Sequence, residues 1–299
     1  MGYPNCTSLP ELQGASREVE GWGFAKPGQM WRMLRSLKSH FPGTRHLILA
    51  DLFFTIPSHG PWLGEFMGTF ILILLGTGVN ASVSLKKTYA HGAGWMVVAT
   101  GWGIGVLCGV LTAQAFGSSA AHLNPAITFS SALMTGDFSQ LPAFWAAQLL
   151  GAMAAATLTF LFFYPHWKET PEHGAKLGVF CTGPAIAHLP SNFLGEVVGT
   201  FVLIVVAGAI GSHGVSATGP APALGPWLVG CLVWGIGLSL GSTTGYAINP
   251  ARDLGPRLMH FLLPIPGKGG SNWRYAPVPI LGDLTGAALA AAVLHWAHF

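Results

Sequence analysis

Charged side chains are scarce in this chain of 299 residues: Asp, Glu, Lys and Arg make up 8% of it, whereas 51% of the residues are apolar. An ordinary soluble domain contains about 25% charged residues. The deficit is concentrated, since residues 88–136 and residues 197–251 contain no Asp, Glu, Lys or Arg at all. Such composition excludes an ordinary soluble globular domain and indicates a protein that lies in a membrane.

Cysteine is rare as well. The four cysteines have neither the spacing of metal ligands nor that of a disulfide framework. The sequence also shows no combination of a nucleophile, a base and an orienting residue. We therefore expect no enzyme, no metal ion, no cofactor and no nucleic acid partner.

What the chain does contain is long apolar sequence. About 20 apolar residues are needed to cross a bilayer as a helix. The predicted membrane helices cover 62–83, 94–115, 141–163, 192–213, 225–243 and 275–297. We divide the chain into a tail of unknown role, 1–60, and a membrane domain, 61–299.

The membrane domain contains an internal repeat. The segment GEFMGT at 64–69 recurs as GEVVGT at 195–200, and the segment WGIG at 102–105 recurs at 234–237. The offsets are 131 (195 − 64) and 132 (234 − 102). Gly151 and Gly282, in similar Gly/Ala-rich segments, again differ by 131 (282 − 151). Several markers at nearly one offset predict a duplication, with repeats at about 61–165 and 192–298.

Each repeat also contains the tripeptide Asn-Pro-Ala, at Asn124-Pro125-Ala126 and at Asn249-Pro250-Ala251. Asn is a preferred N-cap, and Pro suits the first helical turn because no N–H partner is needed there. Each triplet therefore predicts the start of a short helix inside the membrane. The free N–H groups at such a start need protein or water partners, because lipid offers none.

The predicted fold is an all-α membrane protein with six transmembrane helices and two re-entrant half-helices. Three crossings in each half force the second half to enter from the opposite side, which makes an inverted 3+3 repeat. The half-helices then meet near the middle of the bilayer with their positive N-terminal ends. Two such ends repel cations and protons but still offer hydrogen bonds to a neutral solute.

The segments 121–126 (AHLNPA) and 245–253 (GYAINPARD) resemble the aquaporin (major intrinsic protein) family, over about 61–299. The resemblance implies the aquaporin fold and a passive channel that excludes protons. It also implies a homotetramer with one pore per subunit in the cell membrane, most simply a bacterial cytoplasmic membrane. The expected partners are lipid, water, glycerol and other small neutral solutes.

In this family the Arg after the second triplet forms a selectivity filter, and here it is Arg252. Two further filter positions fall on Tyr246 and Gly237, where Gly leaves room that a His fills in a strict water channel. The fourth position falls on Trp102 if the WGIG segments are matched. Counting back from the first triplet gives Ile104 instead, and we choose Trp102.

The resemblance also favours a solute. Asp253, directly after Arg252, is typical of the glycerol-conducting branch, in which an aromatic wall faces a group of donors. Glu65 and Glu196 are expected to accept backbone N–H groups of the two re-entrant loops; a proton relay is the alternative. The loop carbonyls expected to line the pore belong to Ala121, His122, Leu123, Gly245, Tyr246 and Ala247.

Asp283 departs from the family pattern, and we interpret it as a contact at a helix end or in a loop, with no pore role. Other functions stay open on the residues alone. A water-selective channel and one for urea or metalloid acids are alternatives within the same class. An ion-coupled secondary transporter also has inverted repeats, and a closed scaffold would keep the fold without flux.

Overall fold

The structure is a computed structural model that describes residues 60–221 and 223–298. The predicted tail therefore lies, apart from residue 60, outside the described residues. Within them the regular structure is helical: α1 (Pro61–Ser84), α2 (Trp95–Ala115), α3 (Pro125–Thr135), α4 (Leu141–Phe162), α5 (His166–Glu169), α6 (His173–Phe180), α7 (Leu189–Gly211), α8 (Leu224–Ser239), α9 (Pro250–Leu262) and α10 (Pro277–Trp296).

The long helices match the predicted spans. In the described part of the chain, α1, α2, α4, α7 and α10 are each long and apolar enough to cross a membrane. The remaining predicted span, 225–243, is shorter in the structure, because α8 ends at Ser239 after 16 residues. A single 3-10 turn, Gly241–Thr243, follows it and leads into the loop before the second triplet.

The two short helices α3 and α9 begin at the triplets, as predicted. They contain 11 and 13 residues, about half the length of a membrane span. Pro125 and Pro250 occupy the first turn, where the missing N–H group has no partner to lose. The chain turns sharply after α3 at Gly136, which has the left-handed φ of 73° that glycine adopts without steric cost.

The two repeats exchange their short helices. Helix α1 packs on α2 and α4, whereas α7 packs on α10 and α8 packs on α2. The short helix of the first repeat, α3, packs mainly on α10, and α9 packs mainly on α4. Each repeat therefore completes the other, and the two form one helical bundle around the loops that carry the triplets.

Close helix contacts correct one detail of the predicted repeat. A Cβ on Gly151 would overlap the carbonyl oxygen of Phe66, and a Cβ on Gly286 would overlap that of Val197. Phe66 and Val197 are equivalent in the repeat, so Gly151 corresponds in space to Gly286, at an offset of 135 (286 − 151). The pairing with Gly282 was wrong by one helical turn, because the connection before α10 is longer than that before α4.

Packing of α1 can be tested with two of its glycines. In Gly64→Ala the new Cβ would overlap the Ser118 backbone nitrogen, whereas at Gly78 there is open space. We expect Gly64→Ala to destabilise the fold by about 1–3 kcal/mol through overpacking. The control Gly78→Ala should be neutral or slightly stabilising, because Ala favours helix by up to about 1 kcal/mol. Thermal unfolding in detergent checks both; equal midpoints for the two variants would contradict the packing.

Candidate functional site

The starts of the two short helices are linked by hydrogen bonds through the triplet asparagines. Asn124 Oδ1 accepts the Ala126 N–H at 2.9 Å, and Asn249 Oδ1 accepts the Ala251 N–H at 3.0 Å. Each side chain also reaches across to the other repeat. Asn124 Nδ2 donates to the Ile248 carbonyl at 2.6 Å, and Asn249 Nδ2 donates to the Leu123 carbonyl at 2.8 Å. The two helix N-termini are therefore held end to end.

The loops that lead to the asparagines have an unusual backbone. Ala121 and Leu123 in the first loop, and Tyr246 and Ile248 in the second, have φ angles between 36° and 53°. This left-handed region costs a residue with a side chain roughly 1–3 kcal/mol, and such strain persists only where the surroundings hold it in place. In both loops it is every second residue that has this conformation. The backbone of the loops is therefore neither helical nor extended.

Glu65 is the residue that holds the first loop in place. Its carboxylate is fully buried and accepts the N–H groups of His122 and Leu123 at 2.8 and 2.7 Å. Two side chains also donate to it, the Ser118 hydroxyl at 2.7 Å and the Gln148 amide at 2.8 Å. Four donors around one carboxylate compensate for its removal from water.

Glu196 does the same for the second loop. It is fully buried and accepts the N–H groups of Ala247 at 3.2 Å and of Ile248 at 3.1 Å. The Thr244 hydroxyl, in the same loop, accepts the Tyr246 N–H at 3.2 Å. Both glutamates thus accept the N–H groups of their loops, as expected for residues that hold the loops in place.

A narrow cavity of about 70 Å³ lies beside the paired helix ends. One of its sides is polar and includes Asn124, Asn249 and Arg252. The other side is apolar, with branched side chains from four different helices. It contains Leu72, Val106, Val110, Leu203, Val229 and Val233. The lining therefore combines a few polar groups with many apolar side chains.

The narrow cavity adjoins wider ones. Trp102, Tyr246 and Arg252 also line a cavity of about 330 Å³, and Ile127 also lines one of about 660 Å³. Of the loop residues expected to line the pore, all but one line the narrow cavity, and Gly245 lines the 330 Å³ cavity instead. The narrow cavity thus shares lining residues with both wider cavities.

Arg252 lines both the narrow cavity and the cavity of about 330 Å³, and its side chain lies against Trp102. The guanidinium carbon is 3.9 Å from the centroid of the indole ring, which is a cation–π contact. The Trp102 ring is itself fixed, because its Nε1–H donates to Asn80 Oδ1 at 3.0 Å. Ile104, the other position considered, is about half exposed on the outside of the bundle.

Tyr246 fills the space beside Gly237. A Cβ on Gly237 would lie 2.8 Å from the Tyr246 ring and hydroxyl, so the ring uses the room that glycine leaves. The room expected at Gly237 is thus occupied by the tyrosine ring, and it is Tyr246 that lines the narrow cavity. Trp95 fixes this part of the wall by donating to the Gly237 carbonyl at 2.8 Å and by contacting the Tyr246 ring edge to face.

Asp253 is not in the narrow cavity. It pairs with Arg257, one helical turn further along α9, through two hydrogen bonds of 2.8 Å, and both side chains are fully buried. Asp253 also accepts the backbone N–H and the hydroxyl of Thr182 at 2.9 and 2.6 Å. The pair thereby fastens the loop after α6 to the start of α9, directly behind Arg252.

Two other predicted positions are placed as follows. His122 lies in the loop and contacts the Thr128 hydroxyl at 3.2 Å and the ring of Phe144. Asp283 is fully buried in the interior of α10, where it accepts a hydrogen bond from Thr200 at 3.2 Å. The interpretation of Asp283 as a helix-end or loop contact was wrong, since Asp283 lies inside α10 and its partner Thr200 lies inside α7.

Cys181 lines the 330 Å³ cavity close to Arg252. Burial raises the pKa of its thiol to about 12, so the thiol stays protonated at neutral pH. In the described residues, no group of three or more His, Cys, Asp or Glu side chains is placed to hold a metal ion. The chemistry available at the site is hydrogen bonding and apolar contact.

Sequence reasoning missed several residues of the site. Ile248 contributes a carbonyl equivalent to that of Leu123, and the signal was its place directly before the second triplet. Asn80 and Gln148 are polar residues in long apolar segments, which is itself a sign of function. Arg257 follows Asp253 by four residues on a helix, a spacing that favours an ion pair.

Two half-helices that meet end to end inside a membrane bundle, with a narrow passage beside them, define a membrane channel. The chain belongs to the major intrinsic protein family, whose model matches residues 55–294. It is 50% identical over 237 residues to the probable glycerol uptake facilitator protein of Thermotoga maritima, covering 79% of this chain and 98% of that protein. It is 51% identical over 228 residues to the glycerol uptake facilitator protein of Bacillus subtilis, covering 75% and 80%.

A solved structure is also similar. The X-ray structure of the aquaglyceroporin from Plasmodium falciparum superposes with a TM-score of 0.69 at 25% sequence identity. The match covers 78% of this chain and 94% of that one. The predicted fold, with its inverted halves and two re-entrant helices, is thereby confirmed.

The buried ion pair gives a stability prediction. In Asp253→Ala the guanidinium of Arg257 keeps two backbone carbonyl partners in the 271–272 loop but loses its counter-ion. We expect a loss of about 3–5 kcal/mol, because an unpaired charge is left buried. The matched control is Glu169→Ala, which breaks the exposed pair with Lys87 and should not change the unfolding midpoint. Denaturation in detergent gives the unfolding midpoints of both variants. Equal midpoints would contradict the role given to Asp253.

Proposed function

We propose that the protein is a passive channel for glycerol and other small neutral solutes, which also passes water and excludes protons and ions. The observation that carries the proposal is the two-sided lining of the narrow cavity. Its apolar side suits the carbon backbone of a polyol, and its polar side offers Asn124, Asn249, Arg252 and loop carbonyls to the hydroxyl groups. Water alone would not require so many apolar side chains in the lining.

The filter consists of Trp102, Tyr246 and Arg252, with Gly237 behind the tyrosine ring. Arg252 donates hydrogen bonds to hydroxyl groups and repels cations. The contact between Trp102 and Arg252 holds the donor and the aromatic wall side by side. The names of the two bacterial relatives, both glycerol uptake facilitators, support the choice of glycerol over a strict water channel.

The location and assembly belong to the same proposal. The chain is a multi-pass protein of the cell membrane, and its bacterial relatives support the bacterial cytoplasmic membrane. We propose a homotetramer with one pore in each subunit, as the family resemblance implies. Glycine and alanine on the helix faces are consistent with close contacts between membrane helices.

The direct test is stopped-flow light scattering of proteoliposomes under gradients of water, glycerol and urea. We expect rapid glycerol entry that depends weakly on temperature and not at all on an ion gradient. Water entry without glycerol entry would leave a water-selective channel. Saturation or dependence on an ion gradient would instead indicate a coupled transporter, and no flux from correctly assembled protein would indicate a closed scaffold.

The tyrosine wall gives a sharper prediction. In Gly237→Ala the new methyl group would lie 2.8 Å from the Tyr246 hydroxyl, so the ring must move toward the passage. We expect glycerol permeability to fall roughly tenfold, the effect of a steric cost of about 1–3 kcal/mol. The matched control is Gly235→Ala on the same helix, where the new Cβ meets open space. A Gly237→Ala channel as permeable to glycerol as the control would remove Tyr246 from the filter.

A further inference from the structure

Four carboxyl groups are buried in the described residues, those of Glu65, Glu196, Asp253 and Asp283. Of these, Asp283 has no role in the proposed channel. Its Oδ1 accepts the Thr200 hydroxyl at 3.2 Å. Its Oδ2 is buried and has no hydrogen-bond partner in the described part of the chain. An unpaired carboxylate oxygen at membrane depth is costly, so its state needs an explanation.

The neighbour of Asp283 is Glu196. Asp283 binds Thr200, which lies one turn after Glu196 on the same face of α7. A Cβ on the adjacent Gly282 would lie 2.8 Å from the Glu196 Cβ, so α10 approaches α7 directly at this point. Two carboxyl groups placed side by side at membrane depth, with no positive partner between them, cannot both carry a charge. One of the two must hold a proton.

The internal repeat shows which role this position has. At the offset of 135 found for α4 and α10, Asp283 corresponds to Gln148 (148 + 135 = 283). Gln148 donates from Nε2 to Glu65 at 2.8 Å and so supplies the fourth donor to that carboxylate. Glu196 accepts the N–H groups of Ala247 and Ile248, and the position that corresponds to Gln148 is occupied by Asp283.

The hydrogen bonds also show which group holds the proton. Glu196 accepts two backbone N–H groups, which favour its charged form. Asp283 has a single donor and a free oxygen. A third carboxylate, Asp253, lies nearby. Because Arg257 is paired with Asp253, this ion pair offers no positive partner to Asp283. The ionised form therefore belongs to Glu196.

We propose that Asp283 carries a proton on Oδ2 and donates it to Glu196, replacing in the second repeat the amide that Gln148 provides in the first. Asp283 is then a positioning residue. It completes the donor set of Glu196, and Glu196 holds the Ala247 and Ile248 N–H groups of the strained loop. The carbonyl of Ile248 in turn accepts from Asn124, so the proton on Asp283 supports the junction of the two helix ends.

The proton itself can be observed by infrared spectroscopy of the reconstituted protein. We expect the stretching band of a protonated carboxyl group that shifts when the aspartate carboxyl carbons are labelled with carbon-13, and that disappears in Asp283→Asn. This readout does not depend on the proposed function. A spectrum in which Asp283→Asn changes no protonated-carboxyl band would overturn the proposal.

Flux measurements test the positioning role and rest on the proposed glycerol conduction. Asp283→Asn keeps a donor and no charge, so glycerol permeability should stay within about twofold of wild type. Asp283→Leu removes the donor at similar volume and should lower permeability roughly tenfold, as should the mirror variant Gln148→Leu. Leu289→Ala, half exposed on the same helix, is the control without effect.

The outcomes separate the two proposals. Equal permeability of Asp283→Leu and Asp283→Asn would overturn the positioning role while leaving the channel intact. Loss of flux in Asp283→Asn as well would show that the carboxylate charge is needed, which also overturns it. If wild type itself conducts no glycerol, the infrared band still decides whether Asp283 holds the proton.

Discussion

The structure depends on one constraint: two helices begin inside the membrane, and their first N–H groups have no lipid partner. Asn124 and Asn249 solve this by capping their own helices and by donating to the loop of the opposite repeat, at 2.6 and 2.8 Å. Each repeat therefore supplies what the other lacks. The free positive ends of the two helices face one narrow passage, so the same bonds that complete the fold also place the electrostatic barrier to cations.

The buried charges follow from this junction. The loops reach it in left-handed conformations, and the glutamates of the repeat, Glu65 and Glu196, bind the loop N–H groups that such conformations leave open. Asp253 and Arg257 then fasten the loop after α6 to the start of α9, outside the narrow cavity. Arg252 presents its charge to the passage, beside an aromatic ring that delimits it. The scarce charges around this junction thus either hold loops in place or line the narrow cavity.

Much of this could be predicted from the sequence, because apolar length, capping residues and a repeat act locally. The spans and the two half-helices were predicted on those grounds, and the fold is confirmed by its similarity to a solved aquaglyceroporin. Contacts between helices were harder. The offset between α4 and α10 differs from that between α1 and α7, so sequence spacing paired Gly151 with the wrong glycine and hid the match of Gln148 with Asp283. The occupation of the Gly237 space by Tyr246 also depends on packing that no local pattern records.

The central claim is that the paired helix ends admit neutral solutes and exclude protons. It is tested most directly in proteoliposomes that contain a pH-sensitive dye, with glycerol entry and proton entry measured on the same preparation under an imposed membrane potential. The account predicts rapid glycerol entry together with a proton leak equal to that of protein-free vesicles. A proton leak that rises in proportion to glycerol permeability would contradict it.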